Sequence, residues 1–259
     1  HVASSVISEG KNVLYITLEM AEERIAERID ANLLDVTIDD LYEMPKEIYD
    51  NKTSKMQNKT NGQLIIKEYP TASAHAGHFK SLLDELALKK AFKPDLIFID
   101  YLNICTSSRF KGGNINSYTM VKSIAEELRG LAVQYNVPIV SATQTTRTGY
   151  LSSDVGLEDT SESFGLPATA DFMFALISND ELEELGQIKV KQLKNRYNDP
   201  AVNRAFIIGV DRSKMRLYDV EQSAQQIVDS NQESKEKIEQ PSGPQESANV
   251  YDKFSDFKI

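Results

Sequence analysis

Cysteine, histidine and long apolar runs are scarce in this sequence of 259 residues. Cys105 is the one cysteine, which rules out an internal disulfide framework and fits a reducing cytoplasm. It follows an acid-tipped strand directly and reads as a small buried filler. His1, His75 and His78 form no ligand set with that thiol, which argues against zinc. His75 and His78 stand three apart at a predicted helix start, where exposed or capping roles are expected. No apolar run approaches the length of a membrane span, and no signal-peptide pattern opens the chain. Positive charge is short as well, since 29 Lys and Arg against 39 Asp and Glu leave a net charge of −10. That balance argues against a protein that coats nucleic acid over its whole surface, but it allows local contact. The cations concentrate in 189–216, namely Lys189, Lys191, Lys194, Arg196, Arg204, Arg212, Lys214 and Arg216.

With 41% hydrophobic residues the chain can bury a normal core, and one domain plus a tail is expected. The most informative stretch is Pro94-Asp95-Leu96-Ile97-Phe98-Ile99-Asp100-Tyr101-Leu102, an apolar strand that ends abruptly in an acid. In open α/β sheets ligands bind at the carboxyl ends of strands, and an acid fixed there can hold Mg²⁺ on a nucleotide. Three further segments repeat the pattern. Val13 to Met20 is a strand that delivers Glu19, and Val137 to Gln144 delivers an amide with Arg147 three residues on. Ile188 to Arg196 alternates and carries Lys194 and Arg196 to its end. An acid, a metal-binding acid, an amide and a cation pair are the usual parts of a nucleoside-triphosphate hydrolysis site.

Along the chain, Val2 to Glu9 reads as a helix end closed by Gly10. Ala21 to Leu34 has helical spacing, with Ile25, Ile29 and Leu33 on one stripe. Residues 36–62 are expected to be a polar insertion with a short helix around Asp39–Glu43. A strand at Leu64–Glu68, a helix at His75–Lys90, the Asp100 strand and a Gly- and Ser-rich loop (Ser107 to Asn116) follow. Next come a helix near Tyr118–Tyr135, the Gln144 strand, a long irregular stretch from Thr145 to Leu166, and a strand at Asp171–Ile177. An antiparallel set at 188–195, 204–210 and 214–219 completes the sheet. The alternation of strands and helices predicts an α/β fold, with a mostly parallel sheet covered on both faces. A loop as long as 145–166 is a site candidate on length alone. From about Glu221 the chain turns polar, and residues 220–259 are expected to form a disordered acidic tail. Its last residues return Tyr251, Phe254 and Phe257, either as a docking peptide or without a function of their own.

These segments, in this order, resemble the C-terminal RecA-like motor domain of DnaB-type hexameric replicative helicases, and within that family those of T-even-type phages. Leu18-Glu19-Met20, Ile99-Asp100-Tyr101-Leu102, Gln144-x-x-Arg147 and Lys194-Asn195-Arg196 carry the resemblance, together with Ser163-Phe164-Gly165-Leu166-Pro167-Ala168-Thr169-Ala170-Asp171. It covers about 1–219 and leaves the tail out. The resemblance implies an NTP-driven motor using ATP or another NTP with Mg²⁺. Such a motor runs 5′ to 3′ on single-stranded DNA as a homo-hexameric ring and opens duplex at a replication fork. Primase and a helicase loader are the implied partners, in the cytoplasm (the host's, if phage-encoded).

The same resemblance implies roles for single residues. Glu19 would polarise the attacking water, although an acid there could also simply favour a helix N-terminus. Asp100 would hold Mg²⁺ through water, the alternative being a strand-end cap. Gln144 would sense the γ-phosphate, or else be an ordinary amide. Lys194 and Arg196 would reach a neighbouring subunit's triphosphate, or else mark a solvated hairpin end. Arg147 would contact the DNA backbone or organise its own loop. Ser161, Glu162 and Ser163 would contact DNA phosphates without base specificity.

The sequence also departs from the family. The phosphate-cradling G-x-x-x-x-G-K-[ST] is absent, and Gly10-Lys11 is no substitute, because Ser5 stands at the first glycine and Asn12 follows. Truncation upstream is the expectation, and with it an inactive 259-residue piece. Asn103 stands where many members carry Gln, and the 145–166 loop has few cations. Two rivals remain at this point: a RecA-like recombinase, and an ATPase-dead interaction scaffold.

Overall fold

The computed structural model describes residues 1–59, 62–110, 115–146, 155–159, 165–199, 202 and 204–221. Arg147, Ser161, Glu162, Ser163 and the expected disordered tail lie outside the described residues, as does much of the 145–166 loop.

The most apolar strands sit in the middle of a parallel sheet. Strands β1 (Val13–Thr17), β2 (Leu64–Glu68), β3 (Leu96–Asp100) and β4 (Ile139–Ser141) form it in the order β2-β1-β3-β4. Val13, Leu14, Ile16 and Ile97 are fully buried, as expected of strands covered on both faces. On one face, Leu14, Ile16, Ile97 and Ile99 pack against helices α5 (Ala76–Lys90) and α6 (Ser117–Tyr135) through Phe79, Leu83, Ile124 and Leu128. On the other, Val13, Tyr15 and Phe98 pack with α1 (Val2–Ser8) and α2 (Glu22–Leu34) through Ala3, Ile7, Ile25 and Ile29.

Helix ends follow local chemistry. The Asn116 side chain accepts from the Thr119 amide (2.8 Å) to start α6, and Asn136 at φ 50 ends it. Gly10, at φ +79, turns the chain from α1 into β1 in a left-handed conformation that suits glycine.

A second sheet holds β5 (Phe172–Ile177), β6 (Gln187–Asn195), β7 (Ala205–Asp211) and β8 (Arg216–Asp219), antiparallel and in sequence order. The one continuous sheet expected from the sequence is thus two separately hydrogen-bonded sheets. The turn between β7 and β8 is clasped to α2. Asp35 receives Lys214 (3.1 Å) and Arg216 (2.9 Å), and Asn32 Nδ2 donates to the Met215 carbonyl (2.7 Å).

The expected polar insertion after residue 36 is more ordered than its composition implies. Besides α3 (Ile38–Glu43) it contains α4 (Lys46–Lys59), which presents no continuous apolar stripe and so gave no periodic signal. Tyr49 anchors α4 by donating to Asp30 (2.7 Å). Two short helices, α7 (Gly165–Thr169) and α8 (Asp180–Glu184), stand where no helix was expected. Cys105 is buried, and that burial pushes its thiol up to about 12.

His75 caps α5. Its Nδ1 accepts from the Gly77 amide (3.0 Å), while His78 Nδ1 accepts from the His75 amide (3.2 Å). The cap needs a neutral imidazole. Burial first, and then His78, hold the His75 pKa below 6.5, against a weaker pull from Glu127. The folded chain therefore refuses a proton that the unfolded chain accepts. The cap's contribution is complete above the unfolded value of ~6.5 and is lost as pH falls from there through the lower folded value. Lowering pH from about 7 to about 5.5 should reduce the urea midpoint of the wild type more than that of His75→Ser, which caps without titrating. Parallel pH profiles for the two proteins would refute this.

Candidate functional site at the carboxyl ends of the parallel strands

Parallel pairing sets the site. Because β1, β3 and β4 run in the same direction, their carboxyl ends open on one edge, and the groups that follow them meet there. Thr17 and Asp100 are register partners, and the Leu18 amide donates to the Asp100 carbonyl (2.8 Å). Glu19 lies two residues past β1 and is exposed. Its turn is fixed from below by buried Thr17, whose Oγ1 donates to the Met20 carbonyl (2.8 Å) and accepts from the Met20 amide (3.0 Å). Thr71 Oγ1 holds the same turn by donating to the Leu18 carbonyl (2.7 Å).

Asp100 is the last residue of β3 and half-buried, and its peptide to Tyr101 is cis. Its Oδ2 accepts from the Tyr15 hydroxyl (3.0 Å). Burial first, and then the Asp100 charge, push the Tyr15 phenol well above its ordinary pKa, so it stays a protonated donor. Gln144 lies three residues beyond β4, and its Nε2 donates to the Tyr101 hydroxyl (3.2 Å). Between them the Leu102 amide donates to the Ala142 carbonyl (3.2 Å), which continues the β3–β4 pairing past the strands. The structure thus brings Glu19, Asp100 and Gln144 to one sheet edge, with Gln144 bonded to the residue that follows Asp100.

Lys194 and Arg196 belong to a different cluster, at the end of β6. Lys194 Nζ donates to the Pro167 carbonyl, and Arg196 Nη2 donates to the Ala168 carbonyl (2.9 Å) at the end of α7. Asp171 Oδ1 pairs with Arg196 Nη1 (3.1 Å) and with Arg129 Nη1 (2.7 Å). Arg129 also donates to the Thr169 carbonyl (2.9 Å). Cations at a helix C-terminus meet its unpaired carbonyls and negative dipole end. Partial burial, and then the neighbouring Arg196, lower the Lys194 pKa.

Sequence reading missed Tyr15, Thr17 and Arg129. Tyr15 and Arg129 act through partners far away in the chain, which no local spacing signals, and Thr17 braces its own turn through Met20. Asp171 was visible as the end of a motif, but its bridging of two guanidinium groups was not.

No group of three His, Cys, Asp or Glu side chains that could hold a metal occurs among the described residues. Asp100 offers a single carboxylate at the end of the central strand β3, which suits a hydrated Mg²⁺ held mainly by nucleotide phosphates and water. No helix among the described residues is long and apolar enough to cross a membrane.

The chain is similar to several known proteins. Over 226 residues the chain is 46% identical to the DnaB-like replicative helicase of Enterobacteria phage T4, covering 86% of this chain and 48% of that protein. A probable plasmid replicative DNA helicase of Chlamydia psittaci is 28% identical over 145 residues, 55% of this chain and 30% of that protein. The chain therefore spans less than half the length of these curated relatives. Among solved structures, an ATPase domain superposes with a TM-score of 0.68 at 16% identity, covering 85% of this chain and 78% of that one. A DnaB-like replicative helicase, described with its interactions with primase, gives 0.67 at 17% identity, covering 85% and 53%. At such identities the superpositions speak for the fold. A family model for the DnaB-like helicase C terminal domain matches residues 1–213, and the chain belongs to that family.

Proposed function

We propose that this chain supplies the hydrolytic half of an NTP-driven replicative helicase. The observation that carries the reading is the placement of Glu19, Asp100 and Gln144 at the carboxyl ends of three adjacent parallel strands. Asp100 is the group that would hold Mg²⁺ through water; when bound, the cation supplies charge neutralisation on the phosphates. Glu19, exposed on a braced turn, would polarise the attacking water. Gln144, tied to Tyr101 beside the metal acid, would report the state of the γ-phosphate. The 259 residues contain no G-x-x-x-x-G-K-[ST], so they furnish metal, water and sensor groups rather than the phosphate cradle.

The Lys194–Arg196 cluster draws its hydrogen bonds from its own α7 and Asp171, which suits cations that serve a neighbouring subunit's triphosphate. The reading extends to a homo-hexameric ring that moves 5′ to 3′ on single-stranded DNA and separates strands at a fork. Arg147, Ser161, Glu162 and Ser163 are its DNA contacts, and primase and a loader its partners in the cytoplasm. Family membership favours this over a recombinase or an inactive scaffold.

The test is DNA-stimulated ATP hydrolysis by the full-length protein. Glu19→Gln and Arg196→Ala should each lower turnover by about 10³-fold or more. In mixed rings, wild-type subunits should restore hydrolysis at the nucleotide sites of Arg196→Ala subunits, while their own sites stay idle beside an Arg196→Ala neighbour. Normal turnover by Arg196→Ala would overturn the assignment of a trans-acting cation.

Asp171→Asn gives a graded check. It keeps the shape but removes the anion shared by Arg129 and Arg196, so Arg196 loses its orientation and not its charge. Turnover should fall by about fivefold, equivalent to ~1 kcal/mol, with little change in KM. A loss as large as that of Arg196→Ala would mean that Asp171 does more than orient the guanidinium.

A further inference from the structure

Among the described residues, Asp100 has a single side-chain hydrogen-bond partner, and it comes from the neighbouring strand. The register that sets Thr17 opposite Asp100 and Tyr15 opposite Phe98 puts Tyr15, Phe98 and Asp100 on one face of the sheet. The Tyr15 ring stacks on Phe98 at a centroid distance of 5.6 Å and an interplanar angle of 19°. Both rings pack into the cluster that contains Ile25 and Ile29. A ring held on its face has little rotamer freedom left to lose, so its hydroxyl is delivered to one place. That place is Asp100 Oδ2, at 3.0 Å. No other side chain among the described residues bonds to the carboxylate, so Oδ1 keeps its acceptor capacity for a cation's water.

We propose that Tyr15 is a positioning residue for metal–nucleotide binding: its hydroxyl clamps Asp100 Oδ2 and thereby fixes the carboxylate that receives the hydrated divalent cation. The inference rests on the reading of Asp100 given above. A neutral donor suits this task. A lysine or arginine in its place would orient the carboxylate equally well but would cancel the charge that draws the cation. Groups that orient a metal-binding carboxylate from behind typically change metal affinity by about 10–100-fold when removed. Without the hydroxyl, the carboxylate must be ordered at the binding step itself, and affinity falls.

Tyr15→Phe keeps the ring and its stack and removes only the oxygen. In the full-length protein with ATP, the half-saturating Mg²⁺ for hydrolysis should rise about tenfold, while turnover at saturating Mg²⁺ stays near wild type. Mn²⁺ binding to the protein with a non-hydrolysable ATP analogue, followed by electron paramagnetic resonance, should weaken by the same factor. A merely structural role would lower the thermal midpoint and leave both metal titrations in place. Unchanged or tighter Mn²⁺ binding by a folded Tyr15→Phe protein overturns the proposal. Should that variant fail to fold, Phe98→Leu loosens the ring but keeps the hydroxyl. It must then shift the Mn²⁺ titration in the same direction, and no shift overturns the proposal. Asp100→Asn separates the two claims. If it binds Mn²⁺ and turns over normally, the metal role of Asp100 is wrong. If Asp100→Asn is inactive while Tyr15→Phe titrates like wild type, only the Tyr15 inference fails.

Discussion

The register of β1 on β3 is the constraint on which the rest depends. It pairs Thr17 with Asp100, and the Leu18 amide extends it by one hydrogen bond to the Asp100 carbonyl. What fixes it is burial. Leu14, Ile16, Ile97 and Ile99 are at most 1% exposed and share one face of the sheet. Moving a strand by one residue would turn its whole apolar set to the opposite face. The same slip would part Tyr15 from Asp100 and swing Glu19 away from the edge. Ordinary hydrophobic packing thus sets the geometry of the polar edge.

The acids near the strand ends divide by what neutralises them. Asp171 sits between two guanidinium groups, and Glu127 is saturated by Ser107 and Ser108. For Glu127, burial pushes the pKa up, but the serine hydrogen bonds outweigh it and hold the carboxylate ionised. Among the described residues, Asp100 receives one neutral hydroxyl and no cation. A half-buried carboxylate with its charge left uncancelled attracts a cation, whereas the other two are already satisfied. Existing partners, cationic for Asp171 and hydroxyl for Glu127, therefore separate the acids that brace the frame from Asp100, the proposed metal acid.

Much of this was legible in the sequence because the signals are local. An apolar run that stops at an acid marks both the strand and its proposed functional end, and β2 falls where the sequence placed it, at Leu64–Glu68. Where a contact spans a long stretch of chain, the sequence is silent. Tyr15 reads as one more strand aromatic until the register brings it to a residue 85 positions away. Arg129 reads as a solvated helix residue until α6 packs beside α7, close enough that a Cβ on Gly165 would meet the Lys122 side chain at 2.7 Å. Helix α4 was invisible for a different reason: it is held by a polar contact between Tyr49 and Asp30, and periodicity detects only apolar stripes.

The intramolecular bonds of Arg196 bear on how a cation could serve a second subunit. A guanidinium has five N–H donors, and two of its nitrogens are engaged here, with Ala168 and with Asp171. The side chain is still 40% exposed, so donors remain for an incoming phosphate. An unrestrained arginine would lose its rotamer freedom on meeting that phosphate, and the loss would weaken the contact. Here α7 and Asp171 impose most of that order beforehand, within one protomer. Arg129 pairs with the same Asp171 oxygen and is itself tied to the Thr169 carbonyl, which adds a second anchor for the anion. On the proposed reading, the frame that occupies the cation within its own protomer is what makes it effective at a subunit boundary.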